Sequence, residues 1–220
     1  TNSKLSKIEL QNNFEITTPV NVIYNPVDIE MIREKSREER PSCFSEKDCF
    51  YYISVGGFRV EKNFSLLLKA FSIVKDKAHV KLVIVGNGVL EKELKEQAAN
   101  LGIDRSVHFC GFQHNPYKFI ANADCFVLSS LTEGFPNVLL EALACKKPVV
   151  STDCQSGPRE LLAPSSDPSL QVQKGYETAE YGILTAPGDP EALAEAMFKI
   201  YSDPQVRSAF EAAAHERACN

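Results

Sequence analysis

The chain has 220 residues, of which 44% are hydrophobic and 24% charged, and its formal net charge is -5. That is enough chain, in globular proportions, to bury a full core. The acidic balance argues against a nucleic-acid backbone as main partner, because neutralising phosphates needs a basic face.

Residues 1–49 differ in pattern from the rest of the chain. "VNVIYNPVD" (20–28) predicts a strand running into an Asn-Pro turn, and the charged "MIREKSREERPS" reads as a connector. From residue 50 onward, short β-type runs alternate with helical patterns. "FYYISV" (50–55) predicts a strand ending in Gly56-Gly57. "FSLLLKAFSIVKD" comes next as a helix, with Phe64, Leu67, Leu68, Phe71 and Val74 on one face. "VKLVIVG" (80–86) is a second strand, and the helix "VLEKELKEQAANLG" stops at Gly102. Further strands are predicted at 107–112, 124–130, 148–152 and 181–186, with a helix between the middle pair. Two closing helices each start with aspartate as cap and proline first in the helix, Asp189-Pro190 and Asp203-Pro204.

Apolar strands separated by helices imply a parallel sheet covered on both faces. Right-handed crossovers make it an α/β, Rossmann-like doubly wound domain. A ligand of such a sheet sits beyond the carboxyl ends of the strands, so the loops of interest are 56–63, 86–89, 111–116, 131–137 and 152–159.

The seven cysteines form no Cys-x-x-Cys pair and several lie in apolar runs, which predicts buried, reduced thiols in a cytoplasmic protein. His79, His108, His114 and His215 show no metal-ligand spacing. No stretch approaches a membrane span and no signal peptide is visible. The chain starts at Thr1 without methionine, as a piece of a longer protein would.

The segment "TEGFPNVLLEALACKKP" (132–148) places Glu141 inside an apolar helical run. Glutamate is rarely buried without a partner. Two readings remain open from these residues: a narrow solvent stripe or lysine pair, or an acceptor for ligand hydroxyls. Before this helix, Gly134 permits close backbone approach and Pro136 sits where a missing N–H is harmless. The free N–H groups of a helix start favour an anion. "VGGFRVEKNF" (55–64) adds Arg59 and Lys62 as cations for a diphosphate, and the chain has no Asp-x-Asp pair to present a metal. "VGNGVL" (85–90) lacks the third glycine of the dinucleotide fingerprint, which weakens a NAD-dependent dehydrogenase as the alternative.

"EGFPNVLLEALACKKPVVSTD" resembles the E-x7-E signature of retaining glycosyltransferases of family 4, with Glu133 and Glu141 as its two acids. "IYNPVD", "VGGFRVEKNFSLLLKAF", "LVIVGNG", "VHFCGF" and "ADCFVLSS" occur in that family's order, so the resemblance covers nearly the whole chain. It implies one half of a GT-B fold: residues 1–27 as the end of an N-terminal domain with its linker, and 28–220 as the C-terminal donor domain. It further implies transfer of a sugar from a nucleotide-sugar, expected to be a UDP-sugar, with retention of configuration and no metal or other cofactor. The acceptor would be a saccharide or lipid-linked glycan, held by the N-terminal domain at the cytosolic face of a membrane as in polysaccharide biosynthesis. By the resemblance Glu133 contacts the transferred sugar and Glu141 the ribose. Backbone amides across Gly134, Phe135, Pro136, Asn137 and Val138 hold sugar and phosphate, and Gly111-Phe112 lie near the base. The chain departs from the family at two points. Gly57 stands in the donor loop where arginine is common, leaving Arg59 or Lys62 for the phosphate. Lys146 comes after the helix where glycine is usual, at about 1 kcal/mol if the backbone there is left-handed. The half by itself is expected to bind nucleotide but transfer poorly. A non-catalytic nucleotide-sugar-binding module is a further alternative.

Overall fold

A computed structural model describes residues 1–14, 16 and 18–219; Glu15, Thr17 and Asn220, which fall inside the two expected domain ranges, lie outside the described residues. In chain order the elements are α1 (Lys4–Asn13), α2 (Ile29–Ser36), β1 (Phe50–Val55), α3 (Phe64–Lys75), β2 (Val80–Val85) and α4 (Glu91–Asn100). Then come β3 (Val107–Phe109), α5 (Tyr117–Asn122), β4 (Cys125–Leu128), α6 (Asn137–Ala144), β5 (Val149–Thr152) and α7 (Pro158–Leu162). The last are β6 (Tyr176–Thr178), β7 (Ile183–Thr185), α8 (Pro190–Ser202) and α9 (Pro204–Cys219).

The strands form one sheet in the order β3-β2-β1-β4-β5-β7-β6. Every neighbouring pair is parallel except β6 with β7. Period-two alternation sends successive side chains to opposite faces. Tyr52, Leu82, Ile84, Val127 and Val150 therefore enter one core, with α3 and α8. Tyr51, Ile53, Val83, Val85, Phe126 and Val149 enter the other, with α5 and α6. Both faces being dry is why these strands read as continuous apolar runs. The Tyr52 hydroxyl, fully buried, donates to the Met197 carbonyl at 2.9 Å, so even this polar atom is satisfied.

The helix starts obey local chemistry. Asp189 caps α8 by accepting from the Ala192 N–H at 2.9 Å, and Asp203 accepts from the Val206 N–H at 3.1 Å at the start of α9. The backbone after α6 is left-handed: Lys146 has φ 57°. The Lys147 N–H donates to the Ala142 carbonyl and the Lys146 N–H to that of Leu143, a Schellman closure.

Several elements differ from the sequence reading. Residues 20–28 form no strand; the extended segment ends at Asp28, whose carboxylate accepts from the Met31 N–H and caps α2 instead. The charged connector thus contains a helix, and only Ile32 of it is buried. The strands predicted at 107–112 and 124–130 are shorter, ending at Phe109 and Leu128. The exposed edge strand β6 has no apolar pattern to announce it. Four of the seven cysteines are only half-buried and Cys219 is exposed, against the expectation of buried thiols; all seven are free.

Candidate functional site

Strand order reverses between β1 and β4: the chain moves from β1 outward through β2 and β3, then returns to add β4 on the other side. The loops leaving the carboxyl ends of β1 and β4 diverge there, which opens a crevice at the topological switch point. Lys62 comes after β1 and Glu133 after β4, and the crevice brings them together. Lys62 Nζ donates to both carboxylate oxygens of Glu133, at 2.7 and 2.8 Å. Their side chains are 19% and 8% exposed, so the pair is largely shielded from water yet reachable.

Neighbouring residues hold this pair in place. Ser130 Oγ donates to Glu133 Oε1 at 2.6 Å, and Thr152 Oγ1 donates to the Ser130 carbonyl at 2.6 Å. Ser129 Oγ donates to the Lys62 carbonyl at 3.0 Å. The Glu133 N–H donates to the Gln155 carbonyl, while Ser156 Oγ donates to the carbonyls of Glu133 and Gly134. Glu133 thus accepts three hydrogen bonds, and a carboxylate offers about four lone-pair positions, which leaves room for one more donor. Burial first, and then the Glu133 charge, push the nearby Cys154 thiol up to about 12, so this cysteine stays protonated and unreactive.

Beyond Glu133 the chain turns into α6. Pro136 is the cap position, one residue earlier than the first helical position, and Asn137 starts the helix. A side chain at Gly134 would meet nothing within 4 Å, so its backbone is open to the crevice. Among the described residues the N–H groups of Gly134, Phe135 and Val138 have no backbone acceptor. Orphan donors at a helix start, aided by the helix dipole, suit an anion. The Phe135 ring is buried against Tyr24 at a centroid distance of 5.3 Å, and Asn25 Nδ2 donates to Asn137 Oδ1 at 2.7 Å. Residues 24 and 25 therefore brace this turn from outside the sheet.

Glu141 lies on α6, half-buried. Desolvation raises its pKa above the usual glutamate value, partly opposed by a hydrogen bond with the Tyr117 phenol. Among the described residues it has no lysine partner, so the lysine pair is not what the fold shows.

On the β1–β2 side of the crevice a cavity of about 340 Å³ is lined by Val55, Gly57, Gly86, Asn87, Phe112 and Gln113, among others. Phe112 stands 63% exposed at its rim, directly after Gly111 at φ 66°. The Gly-x-Gly turn serves close approach here: a Cβ on Gly88 would lie 2.6 Å from the Phe58 carbonyl oxygen. Arg59 is elsewhere. Its side chain is 63% exposed and pairs with Glu61 at 3.1 Å, apart from the Lys62–Glu133 pair. A larger open cavity of about 520 Å³, lined by Arg40, Cys43, Cys110, Gln113 and Lys118, holds none of the paired residues. Ser130, Ser156 and Tyr117 were not singled out in the sequence. Ser130 closes the run "DCFVLSS", where it reads as the end of a strand.

A doubly wound sheet with an ion pair and an open helix start at its switch point defines the class: a Rossmann-like α/β ligand-binding domain. The family model for glycosyl transferases group 1 matches residues 35–217, and the chain belongs to that family. It is 34% identical over 208 residues to an uncharacterized glycosyltransferase of Methanocaldococcus jannaschii, covering 86% of this chain and 51% of that protein. It is 34% identical over 218 residues to N-acetylgalactosamine-N,N'-diacetylbacillosaminyl-diphospho-undecaprenol 4-alpha-N-acetylgalactosaminyltransferase of Campylobacter jejuni, covering 99% of this chain and 54% of that one. The chain thus spans about half the length of the curated relatives it matches. In fold it is similar to Anabaena HepE, crystallised with UDP and glucose, at a TM-score of 0.83 and 24% identity, covering 99% of this chain and 57% of that one.

Proposed function

We propose that this chain is the donor-binding half of a retaining glycosyltransferase that moves a hexosyl or N-acetylhexosaminyl group from a UDP-sugar to a saccharide or lipid-linked acceptor. The observation that carries this reading is the Lys62–Glu133 pair at the switch point, beside the unfilled N–H groups that open α6. The named transferase relative from Campylobacter and the UDP-bound HepE fold neighbour support the donor class.

Each part of the donor has a matching surface. The base would lie in the cavity between Gly57 and Phe112. The ribose hydroxyls would donate to Glu141, whose carboxylate is the acceptor offered by the buried side of α6. Diphosphate would meet the N–H groups of Gly134, Phe135 and Val138 together with Lys62. As the sugar leaves, negative charge grows on the diphosphate, and donors already in place stabilise it without reorganisation. When Lys62 turns to phosphate, Glu133 gains free lone pairs for a hydroxyl of the transferred sugar. Ser130 keeps Glu133 aimed during that exchange. Arg59, on the surface, would reach a phosphate only by leaving Glu61. No metal is needed in this scheme, since Lys62 and the backbone amides supply the positive potential.

The acceptor site and full turnover would belong to an N-terminal domain of the whole protein. No described helix is long and apolar enough to cross a membrane. The whole protein would meet lipid-linked acceptors by peripheral contact at the cytosolic face.

Calorimetry with UDP, GDP and NAD tests the reading. UDP should bind, and Glu141→Ala should weaken it by at least tenfold. Binding of NAD with neither diphosphate would support a dehydrogenase instead. A failure of Glu141→Ala to alter UDP binding would refute the ribose assignment.

A further inference from the structure

A second cluster lies at the opposite end of the strands, away from the donor crevice. Phe50 of β1 is registered with Val80 of β2, so the residues just before them, Cys49 and His79, enter the sheet side by side. The Phe50 N–H donates to the His79 carbonyl at 3.2 Å, which fixes that pairing. Glu46 reaches over from the preceding turn. One ligand-type atom from each of Glu46, Cys49 and His79 lies within 4.8 Å of the other two.

The imidazole is placed to serve as a ligand. Its Nδ1 is 3.2 Å from the Asp48 carbonyl oxygen, and its Nε2 is 2.6 Å from Glu46 Oε1. Both partners are acceptors only. In the tautomer with the proton on Nδ1, the Asp48 carbonyl, held by a left-handed residue at φ 55°, accepts it and Nε2 offers its lone pair on the side of Glu46 and Cys49. A metal ion there would draw on the Cys49 sulfur as well, and an Nδ1–H held by a carbonyl is the usual arrangement behind a metal-bound histidine.

We propose that Glu46, Cys49 and His79 form a binding site for a soft divalent cation of the zinc class, with water as the fourth ligand. Carboxylate, thiolate and imidazole together suit zinc better than calcium or magnesium, which take oxygen ligands. Bonds of about 2.0–2.3 Å in a tetrahedron put ligand atoms about 3.3 Å or more apart, so the carboxylate must swing outward slightly. Glu46 is exposed enough to do so. Lys81 Nζ binds the other oxygen, Oε2, at 2.7 Å and leaves Oε1 for the ion. The bound ion would clip the 45–49 turn to the starts of β1 and β2, as a structural element independent of sugar transfer.

Cobalt(II) chloride added to the chelator-treated protein provides the test, with zinc chloride as competitor. One equivalent should bind, giving the visible bands of tetrahedral cobalt and a thiolate charge-transfer band, both displaced by zinc. Cys49→Ser should abolish the charge-transfer band. His79→Gln and Glu46→Gln should each weaken binding on the order of 100-fold. Lys81→Met should tighten it by removing a like charge. The absence of one-to-one binding would overturn the site and leave His79 hydrogen-bonded to Glu46 with no ion. Retention of the band in Cys49→Ser would assign the metal to another thiol, such as Cys219 beside His215, and would equally overturn it.

Discussion

Replacing Lys146 by glycine isolates the cost of one backbone conformation. Lys146 closes α6 at φ 57°, and its side chain is exposed, so the substitution removes no packing. A β-carbon in the left-handed region costs roughly 1–2 kcal/mol against the following carbonyl. Glycine loses roughly 0.5–1 kcal/mol of that gain through the larger entropy of its unfolded chain. The net expectation is a stabilisation of about 0.5–1 kcal/mol, or about 1–4 °C in melting temperature for a chain of this size. Urea denaturation should show a higher midpoint at an unchanged slope. Lys146→Ala keeps the β-carbon and should stay within about 0.5 kcal/mol of wild type. Equal stability of the glycine and alanine variants would refute the backbone account.

Asp153→Ala should destabilise by about 1–3 kcal/mol in the same urea assay, because the buried Arg159 guanidinium loses one of its two carboxylates and keeps only the half-exposed Glu177, at 2.8 Å. Arg159 Nη2 donates to Asp153 at 2.6 Å, with the two side chains 5% and 1% exposed, and the Val172 N–H depends on the same carboxylate. Glu141→Gln should change the pH dependence of stability. Burial raises the folded pKa of Glu141 above its ordinary 4.5, so the folded state holds the proton longer and wild type loses stability as pH rises from that value through the folded pKa. The glutamine variant should lack this loss, which chemical denaturation between pH 4 and about pH 7 would show. Gly88→Ala should cost about 2–3 kcal/mol, since the new methyl group meets the Phe58 backbone at 2.6–2.9 Å and backbone cannot step aside. Thermal melts would register it.

The parallel sheet was legible because its central strands are apolar on both faces, and the crevice could be placed from where such sheets bind ligands. Glu133 and Lys62 were legible as separate loop residues; their pairing across 71 positions was not, since no local pattern encodes it. The helix α2 escaped because one buried residue, Ile32, gives no periodicity to detect. The edge strand β6 is wholly exposed, and its pairing to β7 depends on the sheet already being there. Spacing rules also passed over His79, whose partners Glu46 and Cys49 reach it through the register of two strands. Arg59 was legible as a loop cation, but its pairing with Glu61 at 3.1 Å was not.

The carboxylate of Glu160 on α7 receives the N–H groups of Lys4 and Leu5 at 2.8 and 3.2 Å and the Tyr24 hydroxyl at 3.1 Å, whose pKa is pushed up to about 12 by burial and that charge. Arg217 of α9 donates to the carbonyls of Glu160 and Leu161. The first and last helices are thereby knotted onto the same short segment, one turn after the loop that carries Ser156. In hydrogen exchange they should open as one unit, and trimming either helix should loosen the other. Mechanical tension applied to the two helices would be borne by this knot before it reached the sheet. Glu160 thus makes a local fastener out of the two elements farthest apart along the chain.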